Sequence, residues 1–239
     1  MKQLKYANLR TGWSIMFDYI LKRCRRKTLA LYVRNGQVEI RAPLGLPKAE
    51  IDKFVAVKQN WISEKLAIEQ ERLERKKAFT LNYGSEILVR GVPYPIVPIT
   101  HARPELDGKC VYIPANLDPA QIKNACITAY RHIAQSLLTT RTAEYAKLMG
   151  VEPASVSISS AKGRWGSCCA CKKITFSWRL IIGSDDVINY VVVHELAHIL
   201  QMNHSKEYWA IVESILPDYK QRRARLAELH RRIASEDWD

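Results

Sequence analysis

Two histidines four residues apart, with a glutamate directly after the first, are the part of this 239-residue chain best equipped for chemistry: His194-Glu195-Leu196-Ala197-His198. On an α-helix, positions i and i+4 share one face, a turn apart. Both imidazoles can therefore close on one cation, at about 2.0–2.1 Å from each ring nitrogen. Glu195, turned about 100° around the helix from His194, can reach a water on that cation without being a ligand itself. This is the H-E-x-x-H arrangement of zinc hydrolases, in which one Zn2+ acidifies a water and the glutamate acts as its general base. Two core histidines that happen to share a helix face would give the same five letters, so the motif has to be judged with its surroundings.

A catalytic zinc takes three protein ligands and keeps a fourth position for water. His204, six residues after His198, is the candidate for the third. To deliver it, the chain must leave the helix and bend back. Asn203 tolerates a left-handed backbone and is expected to end the helix. Ser205 is expected to cap a new helix through Lys206, Glu207, Tyr208 and Trp209. The spacing equals that of the metzincin pattern H-E-x-x-H-x-x-G-x-x-H, but Gln201 stands where its glycine would be, so the turn must be built differently. Glu213 or Glu207 is the alternative third ligand. Tyr190, Tyr208 and Arg179 are candidates for a second donor to a developing oxyanion. Glu213 and Asp218 are candidates for holding the ligand rings in orientation.

Several elements must position these groups. Ser184-Asp185-Asp186 is a helix-start signal ahead of the apolar run into His194. Val156–Ser159 and Lys173–Trp178 alternate like strands on either side of a Gly163–Cys171 turn. The Lys173–Trp178 strand, or its hairpin partner, is expected to rim the metal, with Arg164 and Trp165 lining it for an extended polypeptide that adds as a strand. Upstream, Arg34-Asn35-Gly36 between two apolar runs predicts a hairpin. A helical pattern follows at 49–77, then short strands near 86–90, 94–99 and 109–113. Asp118-Pro119 predicts a long helix ending at Met149-Gly150. A charged helix closes the chain over 218–234. The fold class is α+β. The expected divisions are an N-terminal extension at 1–27, a basic β-rich and helical region at 28–115, and a catalytic domain at 116–239.

The residues around the motif carry a likeness. His-Glu-Leu-Ala-His followed by Met202–Ser205 and Tyr208-Trp209 resembles the YgjP-like metallopeptidase family. Gly163-Arg164-Trp165-Gly166-Ser167-Cys168 looks like that family's W-G-S-C signature, and Trp178-Arg179-Leu180 and Asp186 to Tyr190 match its pattern before the helix. The likeness runs from about Thr28 to Lys220. It implies a minimal zincin-like core with a basic N-terminal β-hairpin and long helix, akin to SprT-like zinc peptidases. It implies zinc on His194, His198 and His204, with Glu195 as catalytic base.

Composition bounds the rest. Apolar residues make up 47% of the chain, enough for a packed core. No apolar run is long enough to span a bilayer. The short one at Gly12–Leu21 is broken by Asp18 and has its positive charges after it, not before, so the expected location is cytoplasmic. Of six cysteines, three fall at 168, 169 and 171. Reduced thiols are expected, and the C-x-x-C spacing of Cys168 and Cys171 lacks the second ligand pair that a structural zinc needs. The net charge is +13, and residues 1–77 hold 18 Lys/Arg against 8 Asp/Glu, a net of +10. That field suits a polyanion, nucleic acid or nucleotide, and equally a solvated basic surface. The site itself favours peptide hydrolysis. Two alternatives share the metal: a nucleotide phosphohydrolase or pyrophosphatase, and a non-enzymatic nucleic-acid-associated zinc protein. The first lacks a phosphate loop, and a glutamate beside an open three-histidine site counts against the second.

Overall fold

The computed structural model describes residues 17–100 and 105–238. Residues 1–16, most of the expected N-terminal extension and part of the Gly12–Leu21 run, lie outside the described residues. The architecture is α+β, with six helices and ten strands in three small sheets among the described residues. These residues form two compact units: one up to Phe79 with Ala234–Asp237, and one from Thr80 to Ile233 with Trp238.

In the first unit, Ala30–Arg34 (β2) and Gln37–Pro43 (β3) make the expected hairpin. Asn35 and Gly36 turn it with φ of 51° and 71°. Such positive angles cost little for Asn and Gly, and they match the strand twist. Tyr19–Cys24 (β1) lies parallel to β3. The region expected to be an appended segment thus contributes a strand. The 49–77 pattern is two helices, Lys48–Val57 (α1) and Gln59–Ala78 (α2), broken at Lys58. Val38, Ile40 and Ala42 of β3 point to one face by the two-residue period of a strand and pack on Ile51, Val55 and Ile62.

The second unit begins with a sheet in the order β4-β5-β7-β6: Glu86–Val89, Val92–Ile99, Val111–Pro114 and the two-residue Glu105–Leu106. Pro119–Met149 (α3) starts from a capping box. The Asp118 side chain accepts from the Gln121 N–H at 2.8 Å, and Gln121 reaches back to the Asp118 N–H at 2.9 Å. Two groups left open at a helix start are thereby paired. α3 carries Tyr130, which stacks on Trp178 at 5.4 Å and meets the edge of Trp238. All three rings are buried.

The third sheet serves the site. Ser155–Ser159 (β8) and Lys173–Ser177 (β10) are parallel neighbours, and Gly166–Cys168 (β9) pairs antiparallel with β10 on its other side. The Gly163–Cys171 segment, expected as a turn, therefore contains an edge strand. Trp178–Ile182 form a short 3-10 turn that leads to Asp185–Leu200 (α4). Lys206–Ile215 (α5) and Tyr219–Ala234 (α6) complete the chain. Asp185 takes both prongs of the Arg90 guanidinium, at 2.7 and 2.5 Å. Asp186 pairs with Arg225 of α6. Among the described residues, no helix is long and apolar enough to cross a membrane.

Candidate metal centre

The apolar run of α4 is buried at Val187, Ile188 and Val191 to Val193, and the i, i+4 spacing puts His194 and His198 a turn apart on one face, in line with Val187 and Val191. The helix ends at Leu200, and Gln201 takes extended angles of −143° and 108°. Asn203 keeps a negative φ and acts through its side chain instead, its Oδ1 accepting from the Ser205 N–H at 3.1 Å. The left-handed exit expected at Asn203 is therefore replaced by a side-chain turn, which needs no glycine at position 201. α5 then begins after Ser205, as expected, though the Ser205 side chain makes no capping bond and instead accepts from the Gln201 amide at 3.3 Å.

This turn swings His204 back over the helix. One nitrogen from each of His194, His198 and His204 lies within 4.8 Å of the others, and the Nε2 atoms of His194 and His204 are 3.3 Å apart. Two imidazoles bonded to zinc at tetrahedral angles have their nitrogens about 3.3–3.4 Å apart. The donor set therefore fits one metal ion. Among the described residues it is the one group of three or more His, Cys, Asp or Glu side chains with that convergence. Glu213 and Glu207 are exposed on α5 and outside the trio. The His198 Nδ1 faces the Gln201 carbonyl at 3.2 Å, which leaves its Nε2 for the ion. The His194 Nδ1 is buried without a protein partner. Asp218 is engaged by Arg222 at 2.8 Å, so the ring-orienting role expected of Glu213 or Asp218 falls to a main-chain carbonyl at His198.

Tyr208 lies beneath all three rings. It is fully buried, stacks on His198 at 4.7 Å, and meets His204 and His194 edge-on at 4.7 and 5.4 Å. Its hydroxyl donates to the His194 carbonyl at 2.9 Å and is thus not turned to an oxyanion. Trp209 stacks on His204 at 5.7 Å and on Tyr219 of α6 at 5.3 Å. Tyr190 is buried with its ring 5.8 Å from His194. Arg179 is not brought to the trio. It is buried against Trp178 and donates to the carbonyls of Ser160 and Trp238. Trp165 packs edge-on to His230 of α6 at 6.2 Å.

The electrostatics favour neutral ligands. Burial, reinforced by His198 and His204, drives the His194 imidazole down to about 3, and burial lowers His198 as well. Neutral rings are the form that binds metal. Burial pushes the Glu195 carboxyl up to about 7, against the pull of the nearby Arg164 guanidinium. Glu195 is pressed on the edge strand. A Cβ added at Gly166 would come within 2.5 Å of its Oε1. Sequence reasoning had no signal for this contact beyond the glycine itself, or for Arg223, whose guanidinium stands 5.6 Å from the Trp209 ring centre.

At the β9–β10 tip, Cys169 and Cys171 are joined in a disulfide, and Cys168 is free. The expectation of reduced thiols fails for that pair, and Cys168 is not paired with Cys171. Burial raises the Cys168 thiol, and the Glu195 carboxylate adds to the shift.

A comparison with curated proteins finds no match. Among solved structures, the chain is weakly similar to the metallopeptidase zymogen abylysin of Pyrococcus abyssi. That match has 21% identity and a TM-score of 0.36, covering 38% of this chain and 91% of that one. The YgjP-like metallopeptidase domain matches residues 27–229. With most of the chain inside that match, the protein belongs to the YgjP-like metallopeptidase family.

Proposed function

We propose that this chain is a zinc-dependent peptidase with a zincin-like catalytic core, in which His194, His198 and His204 hold one Zn2+ and Glu195 is the general base. The observation that carries the reading is the convergence of three imidazoles beside a carboxyl that lies against an open strand edge. When bound, zinc supplies a Lewis acid that acidifies water and polarises a carbonyl.

The chain's own groups do the rest. Glu195, raised towards neutrality by burial, takes the proton of the attacking water and returns it to the leaving amine. β9 aligns the substrate. The Trp165 carbonyl and the Cys169 N–H bond to β10 at 2.8 and 3.2 Å. In an antiparallel ladder these directions alternate, so the amides of Gly166 and Cys168 face the open edge. An extended polypeptide can pair there as one more strand, its backbone beside Glu195. Gly166 lets the strand and the carboxyl touch. Tyr208 fixes the three rings from below. Tyr190 borders the site but, with its hydroxyl pushed up by burial, serves as a neutral donor at most.

The experiment is zinc analysis and peptide turnover of Glu195→Gln. The variant should hold one zinc per chain and lose at least about 100-fold in turnover, the usual share of a general base. Turnover within a few-fold of the parent removes Glu195 from the mechanism. Hydrolysis of nucleoside triphosphates with no peptide turnover would favour the phosphohydrolase alternative.

A further inference from the structure

The peptidase reading leaves open which peptides are taken, and the charges bordering the site bear on that choice. Three arginines cluster on the first turns of α6. Arg222 donates to Asp218 at 2.8 Å and to the Asp186 carbonyl, and Arg225 pairs with Asp186. Arg223, between them, has no carboxylate partner among the described residues. It is exposed, and its guanidinium stands over Trp209, whose own ring stacks on His204. A guanidinium laid on an indole keeps its edge N–H groups free, in a fork that matches a carboxylate. The stack also restricts the side chain, so less freedom is lost when a ligand binds.

A second unpaired guanidinium borders the same site. Arg164 is exposed, two residues before Gly166, and close enough to Glu195 to pull on its carboxyl. It too has no ion-pair partner among the described residues. Two guanidinium groups, Arg164 and Arg223, thus stand against the single carboxyl of Glu195, so the charged side chains bordering the site carry a net positive charge even before a cation is added. A field of this sign at a cleft draws anionic ligands and repels basic ones.

We infer that the substrate is an acidic peptide, with a carboxylate near the bond to be cut that is held by Arg223 while Arg164 strengthens the field on the Glu195 side. The inference rests on the peptidase reading. The carboxylate has two sources, an Asp or Glu side chain or the free end of the chain.

The test measures binding of three matched peptides to the zinc-loaded Glu195→Gln protein by fluorescence anisotropy. One is neutral with both ends capped. One carries a single glutamate and capped ends. One is neutral with a free C-terminus. One of the two anionic peptides should bind at least about tenfold tighter than the neutral peptide, as for a charge-assisted bidentate pair, and which one identifies the source. Arg223→Gln should abolish most of that gain and change neutral binding less than twofold. Arg223→Lys should recover only part of it, since an ammonium lacks the fork. Arg164→Gln should weaken both anionic peptides, and the loss should shrink with added salt. Equal binding of all three peptides, or a preference that survives Arg223→Gln, overturns the inference. If the parent protein cleaves the capped neutral peptide as well as the others, the peptidase reading stands and the inference fails. If no peptide is cleaved yet binding depends on Arg223, Arg223 is a carboxylate-binding residue, and the peptidase reading fails and with it the assignment of that peptide as substrate.

Discussion

Gly166 and Tyr208 test the site at the scale of single residues. Gly166→Ala puts a methyl group 2.5 Å from the Glu195 Oε1. One of the two must move, and a catalytic group displaced by about 1 Å costs on the order of 100-fold in rate. The expected result is a kcat lowered by about 10- to 100-fold with zinc content unchanged; an unaltered kcat would mean that the strand does not position the carboxyl. Tyr208→Phe deletes the donor to the His194 carbonyl and should cost about 1–3 kcal/mol of stability, the range for a buried group left unpaired. Tyr208→Leu also removes the ring beneath the three imidazoles and should weaken zinc about 10- to 100-fold, the range for groups that orient metal ligands. Chelator competition measures it, and Phe should retain most of the affinity that Leu loses. His194, Glu195 and His198 were legible from spacing, because a helix converts i and i+4 into one face, whereas His204, beyond the end of α4, shared its place as candidate third ligand with Glu213 and Glu207. Arg223 was not, because nothing in the charged run of α6 separates it from Arg222 and Arg225. Only its neighbours from other helices do. Arg179 was misplaced for the same reason: its charge suggested a site, while its burial against Trp178 makes it structural.

Among the elements, those with local signals were legible. Asn35-Gly36 turns a hairpin, and Asp118-Pro119 to Gly150 delimits α3 as expected. Asp118→Ala should lower stability by about 1 kcal/mol through loss of the capping box, seen as a lower midpoint in thermal or urea unfolding. No change would show that α3 is held by its packing alone. β1 and β9 escaped the sequence reading because both are edge strands defined by a partner. β1 pairs in parallel with β3, with β2 between them in the chain, so no hairpin turn joins the pair, and β9 is three residues long. The break between α1 and α2 escaped because Lys58, like its neighbours, suits a helix. The Cys169–Cys171 link escaped because one intervening residue gives no pairing pattern. At the hairpin tip the two Cα atoms stand 5.2 Å apart.

For the whole molecule, the charge asymmetry seen in the sequence coincides with the first compact unit, while the candidate site is built entirely within the second. Cys126 reports on the second unit's core. It is fully buried on α3, and burial pushes its thiol from 9.0 up to about 12. The folded state thus holds this proton more tightly than the unfolded chain. The associated stability is complete below about pH 9 and is lost as pH rises towards 12. Urea unfolding should therefore show falling stability across that window, with a smaller fall in Cys126→Ala. At pH 8, iodoacetamide should leave Cys126 unmodified until the protein unfolds. The central claim is narrower than either unit and is tested most directly by anomalous diffraction at the zinc edge from zinc-loaded crystals. One peak is expected, about 2.0–2.1 Å from single nitrogens of His194, His198 and His204, with the fourth side open to solvent. A peak elsewhere, a carboxylate of Glu213 in place of His204, or no peak at full zinc supply would contradict it.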